Sequence, residues 1–244
     1  MTNIYNDIIY PAYQSGKHLF AMLIDPDKCS EERMSAIKNA MAEYTPDLIL
    51  IGGSLVMNST SDAVLTCQKF FPKTHTILFP GDDSQLTPIA DAIMVLSLIS
   101  GRNPEYLIGQ HVRASVKIKK MGLQTIPTGY ILIDGGRTTA VQYISNSMPI
   151  PSDKIEIAVA TALASEQLGH KMVYLEAGSG ASNHVPTDMI RAVRQSINIP
   201  LIVGGGLKNA NDIKEVFNAG ANIVVVGSAI EHNPEMAKTL CTQY

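Results

Sequence analysis

The chain has 244 residues, 45% of them hydrophobic and 17% charged, with a formal net charge of −3. That length fits one domain of the barrel class or two small ones with a sizeable core, and the absence of a basic stripe argues against a nucleic-acid binder. No apolar run approaches about 18 residues and no charged-then-apolar leader is seen, so the expectation is a cytoplasmic protein without a stable membrane anchor.

Apolar runs with strand character fall at 19–24, 48–51, 76–79, 92–96, 125–133, 172–175, 201–203 and 223–226. Several are apolar at every position, as parallel strands covered on both faces are. After the first run, Ser30 reads as an N-cap with Glu31 and Glu32 in the first turn, where the helix dipole favours acids. Met34, Ile37, Met41 and Tyr44 then repeat at helical spacing. Only 81–91 separates the third and fourth strands, and it holds Gly81, Asp82, Asp83, Ser84 and Pro88. The third covering helix is therefore expected to be missing or replaced by an extended segment. Further helices are expected over 104–120, 153–168, 187–196 and 211–218, with a closing helix from about 232. The segment 155–168 is apolar on more than one face, which suggests a subunit contact and a homo-oligomer, dimer or hexamer, or else a well-covered helix of the outer ring. Strands alternating with helices predict an α/β fold of parallel βαβ units, a modified TIM (β/α)8 barrel spanning 1–244 as a single domain. Cys29, Cys67 and Cys241 are scattered and odd in number, which argues against a disulfide framework or a zinc cluster.

The end of the chain is the most informative part. Leu201-Ile202-Val203 runs into Gly204-Gly205-Gly206, and Ile223-Val224-Val225-Val226 runs into Gly227-Ser228. Without a Cβ, backbone N–H groups can approach an anion, and two such turns side by side suit one phosphate. In a TIM barrel the phosphate site follows strands 7 and 8.

Other strand ends carry candidate chemistry. Asp25, in Asp25-Pro26-Asp27-Lys28, can hold Mg²⁺ or merely turn the chain into a helix. Ser54, in Gly52-Gly53-Ser54, can add a second oxygen ligand or cap the next helix. Arg102 can meet a diphosphate through its fork of donors or sit as a solvated loop charge. Glu176, after Tyr174-Leu175 and before Ala177-Gly178-Ser179-Gly180, suits a general base or a carboxylate that orients a substrate hydroxyl. Tyr130, Phe79, Leu98 and Ile99 can line an apolar groove or belong to the core. Pro127 and Gly129 inside the fifth strand suggest a bend or close packing.

The ordered set Leu23-Ile24-Asp25-Pro26-Asp27-Lys28, Ile51-Gly52-Gly53-Ser54, Phe79-Pro80-Gly81, Ser100-Gly101-Arg102-Asn103-Pro104, Pro127-Thr128-Gly129-Tyr130, Tyr174 through Gly180, Val203-Gly204-Gly205-Gly206 and Val226-Gly227-Ser228 resembles the geranylgeranylglyceryl phosphate synthase family, which includes the heptaprenylglyceryl phosphate synthases. The resemblance implies a TIM barrel lacking its third helix. It implies a Mg²⁺-dependent prenyltransferase that joins a polyprenyl diphosphate to the C3 hydroxyl of sn-glycerol 1-phosphate in lipid biosynthesis. It places the metal at Asp25 and Ser54, and the glycerol phosphate at Tyr174 to Gly180 and at Gly205, Gly206, Gly227 and Ser228. The smaller bacterial members carry lysine two residues before the metal aspartate; Leu23 stands there in this chain, which favours geranylgeranyl diphosphate. The residues alone also fit a sugar-phosphate isomerase or epimerase, or a barrel that binds a phosphorylated metabolite without turnover. Lys171, at the start of the sixth strand, is on the wrong side for an aldolase Schiff base.

Overall fold

The computed structural model describes residues 2–241. Eight strands, β1 (Leu19–Ile24), β2 (Leu48–Ile51), β3 (His75–Leu78), β4 (Ala92–Leu98), β5 (Gln124–Leu132), β6 (Met172–Glu176), β7 (Leu201–Gly204) and β8 (Ile223–Val226), pair in chain order. All neighbours are parallel and β8 returns to β1, closing the barrel. The helices are α1 (Tyr10–Ser15), α2 (Glu31–Met41), α3 (Thr60–Phe70), α4 (Gln110–Met121), α5 (Ala140–Ser145), α6 (Ile155–Gln167), α7 (Thr187–Ser196), α8 (Ala210–Asn218), α9 (Ser228–His232) and α10 (Met236–Cys241). The expected closing helix is thus two short ones, and its last three positions, 242–244, lie outside the described residues.

Strand periodicity sorts the core into two layers. Ala21, Leu50, Ile77, Met94, Tyr130, Tyr174, Ile202 and Val225 point inward and fill the barrel. Their neighbours Phe20, Met22, Ile49, Val173, Val203 and Val224 point outward under the helices. Helix starts follow their caps: Ser30 accepts the Arg33 amide at 3.2 Å, and Asn209 and Asp212 form a reciprocal capping box at α8. An N-terminal π-helical turn, Ile4–Ile9, closes the barrel bottom. Ile4 and Ile9 join the interior layer, and Tyr5 Oη donates to the Lys171 carbonyl at 3.2 Å.

Two irregularities shape the mouth. The link from β3 to β4 contains only a 3-10 turn, Asp83–Gln85, so the third covering helix is missing, as expected. Over that gap β3 and β4 pair at just two positions, Ile77↔Ala92 and Leu78↔Ile93, whereas β4 and β5 pair at seven. The chain 104–120 is not one uniform helix: Glu105–Gly109 is π-helical and leads into α4. The glycine inside β5 has a packing cause, since a Cβ on Gly129 would strike the Ser165 side chain of α6. On α6, Ala158, Ala162 and Ser165 are buried while Ile157 and Leu168 beside them are exposed. Cys29 and Cys67 are free thiols.

Candidate active site

The C-terminal ends of the strands form three adjoining sectors. The first spans β6 to β8. Tyr174 and Glu176 are buried in β6. Glu176 Oε1 accepts the Gly178 amide at 2.6 Å. Gly205 and Gly206 both lie in the left-handed region, at φ of +78° and +70°. A Cβ on Gly205 would run into the Glu176 carboxylate and the Gly178 amide, so glycine is required both for conformation and for approach. Ser179 Oγ and Ser228 Oγ share a hydrogen bond of 2.8 Å, which joins the loop after β6 to the turn after β8. Leu175 and Ala177 are buried backbone supports, Ala177 donating its amide to the Gly204 carbonyl at 3.0 Å, while Gly180 is exposed at the rim with φ of +71°.

Burial pushes the Glu176 carboxyl up to about 7, against the opposing pulls of the Tyr174 hydroxyl and the Gly178 amide. Burial also raises the Tyr174 phenol well above its ordinary range, and the Glu176 charge adds to this. Tyr174 Oη approaches the Glu176 carboxylate without reaching hydrogen-bond geometry and has no other partner among the described residues. A buried hydroxyl left without a partner costs about 1–3 kcal/mol, so such groups mark sites completed by something else.

The second sector spans β1 and β2. Asp25 Oδ1 accepts the Asp27 amide at 3.0 Å, while Oδ2 lies 3.7 Å from Lys28 Nζ. Lys28 turns instead to Glu231 of α9, at 2.8 Å. Burial raises the Asp25 carboxyl, the Asp27 amide and Lys28 offset it, and the Glu231 charge adds to the rise. Ser54 follows Gly53, whose backbone packs beside the Asp25 carboxylate. Gln85, buried in the link after β3, grips Gly53 from both sides: Nε2 donates to its carbonyl at 2.8 Å and Oε1 accepts its amide at 3.2 Å. Asp27 holds the same loop by accepting the amides of Met57 and Asn58 at 2.9 and 2.7 Å. Among the described residues no three His, Cys, Asp or Glu side chains cluster as a metal cage.

The third sector spans β3 to β5. A cavity of 590 Å³ opens where the third helix is missing and runs from Ser54 and Gly81 at the mouth to Ile118 and Leu123. Its wall is predominantly apolar, and its size lies within the ~300–1,000 Å³ typical of ligand sites. Of the four residues that could belong to a groove or to the core, Phe79, Leu98 and Tyr130 line it and Ile99 does not. Phe79, Tyr130 and Tyr174 pack ring to ring at 5.3 to 5.9 Å, forming an aromatic partition between the cavity and Glu176.

The structure thus brings Tyr174, Glu176, Gly178, Ser179, Gly205 and Ser228 together, and links Asp25 to the β8 side through Lys28 and Glu231. Arg102 stands apart: its guanidinium donates to the carbonyls of its own loop, the shortest contact being to Gly101 at 2.8 Å. The reading of residue types missed Glu231 and Gln85. Neither sits at a strand end or in a motif, and only the fold carries them to the mouth.

A model of the PcrB family matches residues 13–243. The chain belongs to the PcrB family. Among its PcrB-like relatives, the geranylgeranylglyceryl phosphate synthase of Spirosoma linguale is 46% identical over 228 residues, covering 93% of this chain and 92% of that protein. That of Zunongwangia profunda is 46% identical, covering 93% and 96%. The solved structure of (S)-3-O-geranylgeranylglyceryl phosphate synthase from Thermoplasma acidophilum in complex with sn-glycerol-1-phosphate superposes with a TM-score of 0.88 at 30% identity, covering 97% of each chain.

Proposed function

We propose that this PcrB family member joins a polyprenyl diphosphate, geranylgeranyl diphosphate by preference, to the C3 hydroxyl of sn-glycerol 1-phosphate. The observation that carries this reading is a buried carboxylate and an unpartnered buried hydroxyl set between the glycine turns after β7 and β8 and a large apolar cavity. The two substrates need that pairing: one is a small phosphorylated alcohol, the other a long apolar chain with a charged head. The ligand named for the Thermoplasma acidophilum structure supports the first half of it.

In this reading the amides after β7 and at the start of α9 hold the glycerol phosphate, with Ser179 and Ser228 at its side. The phosphate anchor fixes the C3 hydroxyl near Glu176 and thereby removes much of the entropic cost of the encounter. Tyr174 Oη supplies the hydrogen bond it lacks in the protein alone. The bond from C1 of the allylic chain to the diphosphate breaks and its electron pair leaves with diphosphate. The C3 oxygen bonds to C1, and its proton passes to Glu176.

The Asp25 sector fits Mg²⁺. The ion commonly takes one or two protein carboxylates and completes its shell with substrate phosphates and water, so no carboxylate cage is needed. One Asp25 oxygen accepts no hydrogen bond among the described residues, because Lys28 is drawn off to Glu231. Asp25 and Ser54 would hold the ion, which when bound neutralises the leaving diphosphate. Gln85 and Asp27 keep that loop in place. Arg102 can reach the diphosphate only by releasing its own loop carbonyls. Leu23 lies against the Gly227 backbone, so the missing lysine leaves this edge of the anion site apolar.

Incubation with labelled sn-glycerol 1-phosphate, Mg²⁺ and prenyl diphosphates of graded length tests the reading. A lipid-extractable ether product is expected, with Asp25→Asn lowering turnover by about two orders of magnitude or more while the protein stays folded. No product at any chain length would refute it.

A further inference from the structure

The acidic sector holds charged side chains whose pairing the local chain does not explain. Pro26–Lys28 forms a 3-10 turn, and Lys28 donates its amide to the Asp25 carbonyl at 2.9 Å. Side chains three apart in such a turn lie one above the other, so local structure alone would seat the Lys28 ammonium on the Asp25 carboxylate. Instead Lys28 Nζ stands 3.7 Å from Asp25 Oδ2 and 2.8 Å from Glu231 Oε2. Burial decides the competition. The Glu231 side chain is 9% exposed and the Asp25 side chain 26%. Among the described residues Glu231 accepts a side-chain hydrogen bond from Lys28 alone, whereas Asp25 keeps the Asp27 amide at 3.0 Å. A nearly buried carboxylate without a partner costs more than one at the rim, so the ammonium goes to Glu231.

Glu231 is itself held in place. It lies in α9, its amide donates to the Gly227 carbonyl at 3.0 Å, and Ser228 at the head of that helix is tied to Ser179 at 2.8 Å. Asp27, the remaining acid of the loop, is committed to the amides of Met57 and Asn58, and no ion pair joins it to Lys28 among the described residues. The destination of Lys28 is therefore a choice between two carboxylates. An ammonium bonded to Asp25 would occupy the oxygen that a dication needs, and would repel the dication at contact distance. With Lys28 on Glu231, Asp25 Oδ2 stays open, and the sector keeps two carboxylates against one ammonium.

We infer that Glu231 is a positioning residue: it holds the Lys28 ammonium off Asp25 and so keeps that carboxylate open to a divalent cation. The inference rests on the reading of Asp25 as a ligand of the ion given above. Titration of the full chain, free of substrates, with Mn²⁺ as a paramagnetic stand-in for Mg²⁺ tests it, with the loss of the free-ion electron paramagnetic resonance signal as the readout. Glu231→Gln keeps the shape of the side chain and should weaken Mn²⁺ binding roughly fivefold, the factor one part-exposed ion pair commands. Lys28→Met should bind Mn²⁺ at least as tightly as the parent. The double variant separates the two ways in which Glu231 can act. Acting through Lys28, Glu231→Gln costs nothing in the Lys28→Met background. Acting only by its own negative charge, it costs the same there, and the positioning role is overturned. Parent-like Mn²⁺ affinity in Glu231→Gln, or a weaker affinity in Lys28→Met, overturns it as well, so each single variant is decisive if the other fails to fold. In turnover, Glu231→Gln should raise the Mg²⁺ concentration for half-maximal rate more than it lowers the rate at saturating Mg²⁺. A parent that binds no Mn²⁺, or binding that survives Asp25→Asn, would instead remove the ion from Asp25 and overturn that part of the synthase reading.

Discussion

Glu176 concentrates the tension between stability and chemistry in one side chain. Its carboxyl is pushed by burial from an ordinary value of 4.5 up to about 7. The folded protein therefore binds this proton more tightly than the unfolded chain, and stability declines as pH rises from about 4.5 through about 7. Glu176→Gln removes that loss. It should stabilise the ligand-free protein by about 3 kcal/mol at pH 8 relative to pH 5, as measured by urea melts at the two values. The same substitution should abolish turnover, because a proton acceptor is lost. In the parent, kcat/KM should climb with pH to a plateau above about 7 as the carboxylate forms. Tyr174→Phe separates the hydroxyl from the ring. With no hydrogen bond to lose, its stability cost should stay within about 1 kcal/mol. The phenol holds the Glu176 carboxyl down, so the midpoint of the pH–rate profile should move upward in the variant.

At the scale of elements, the decisive feature is a helix that the fold leaves out. Residues 81–91 are too few and too rich in turn formers to cover β4, and the uncovered face becomes the cavity. The same short link supplies Gln85, whose two bonds to Gly53 fix the loop that carries Ser54. A missing element thus does two jobs, opening an apolar cavity and bracing the neighbouring sector. Filling the room tests this. Ala114→Trp on α4 projects into the cavity, and turnover with a geranylgeranyl diphosphate should fall at least about tenfold while a dimethylallyl diphosphate is used as before. Equal use of both chain lengths would place the prenyl tail elsewhere. Helix α6 poses a separate question. Its inner face is fixed by Ala158, Ala162 and Ser165 against β5, which leaves Ile157 and, just past its end, Leu168 exposed, where the sequence suggests a subunit contact. Light scattering at micromolar concentration should give at least a dimer, and Leu168→Glu should shift it toward monomer.

For the whole molecule, the order of the strands around the barrel sets the order of the sectors: a glycine-lined one at β6 to β8, an acidic one at β1 and β2, and an apolar one at β3 to β5. No described helix is long and apolar enough to cross a membrane. The sequence by itself determined the barrel, because uninterrupted apolar strands alternating with capped helices have few other ways to bury both faces of a sheet. It also determined the missing helix and the glycine turns, since both are local matters of chain length and backbone freedom. Strand bounds were legible to within a residue or two, and the ends of β1, β2 and β8 fell where the apolar runs stop. Only the tertiary structure decided which polar residues meet. Lys28 and Glu231 are 203 positions apart, and Gln85 reaches Gly53 across a strand boundary. No periodicity encodes such contacts, and closure of the barrel creates them. The raised Glu176 carboxyl and the unpartnered Tyr174 hydroxyl have the same origin, since burial and the exclusion of water are properties of the packed mouth and of no residue alone.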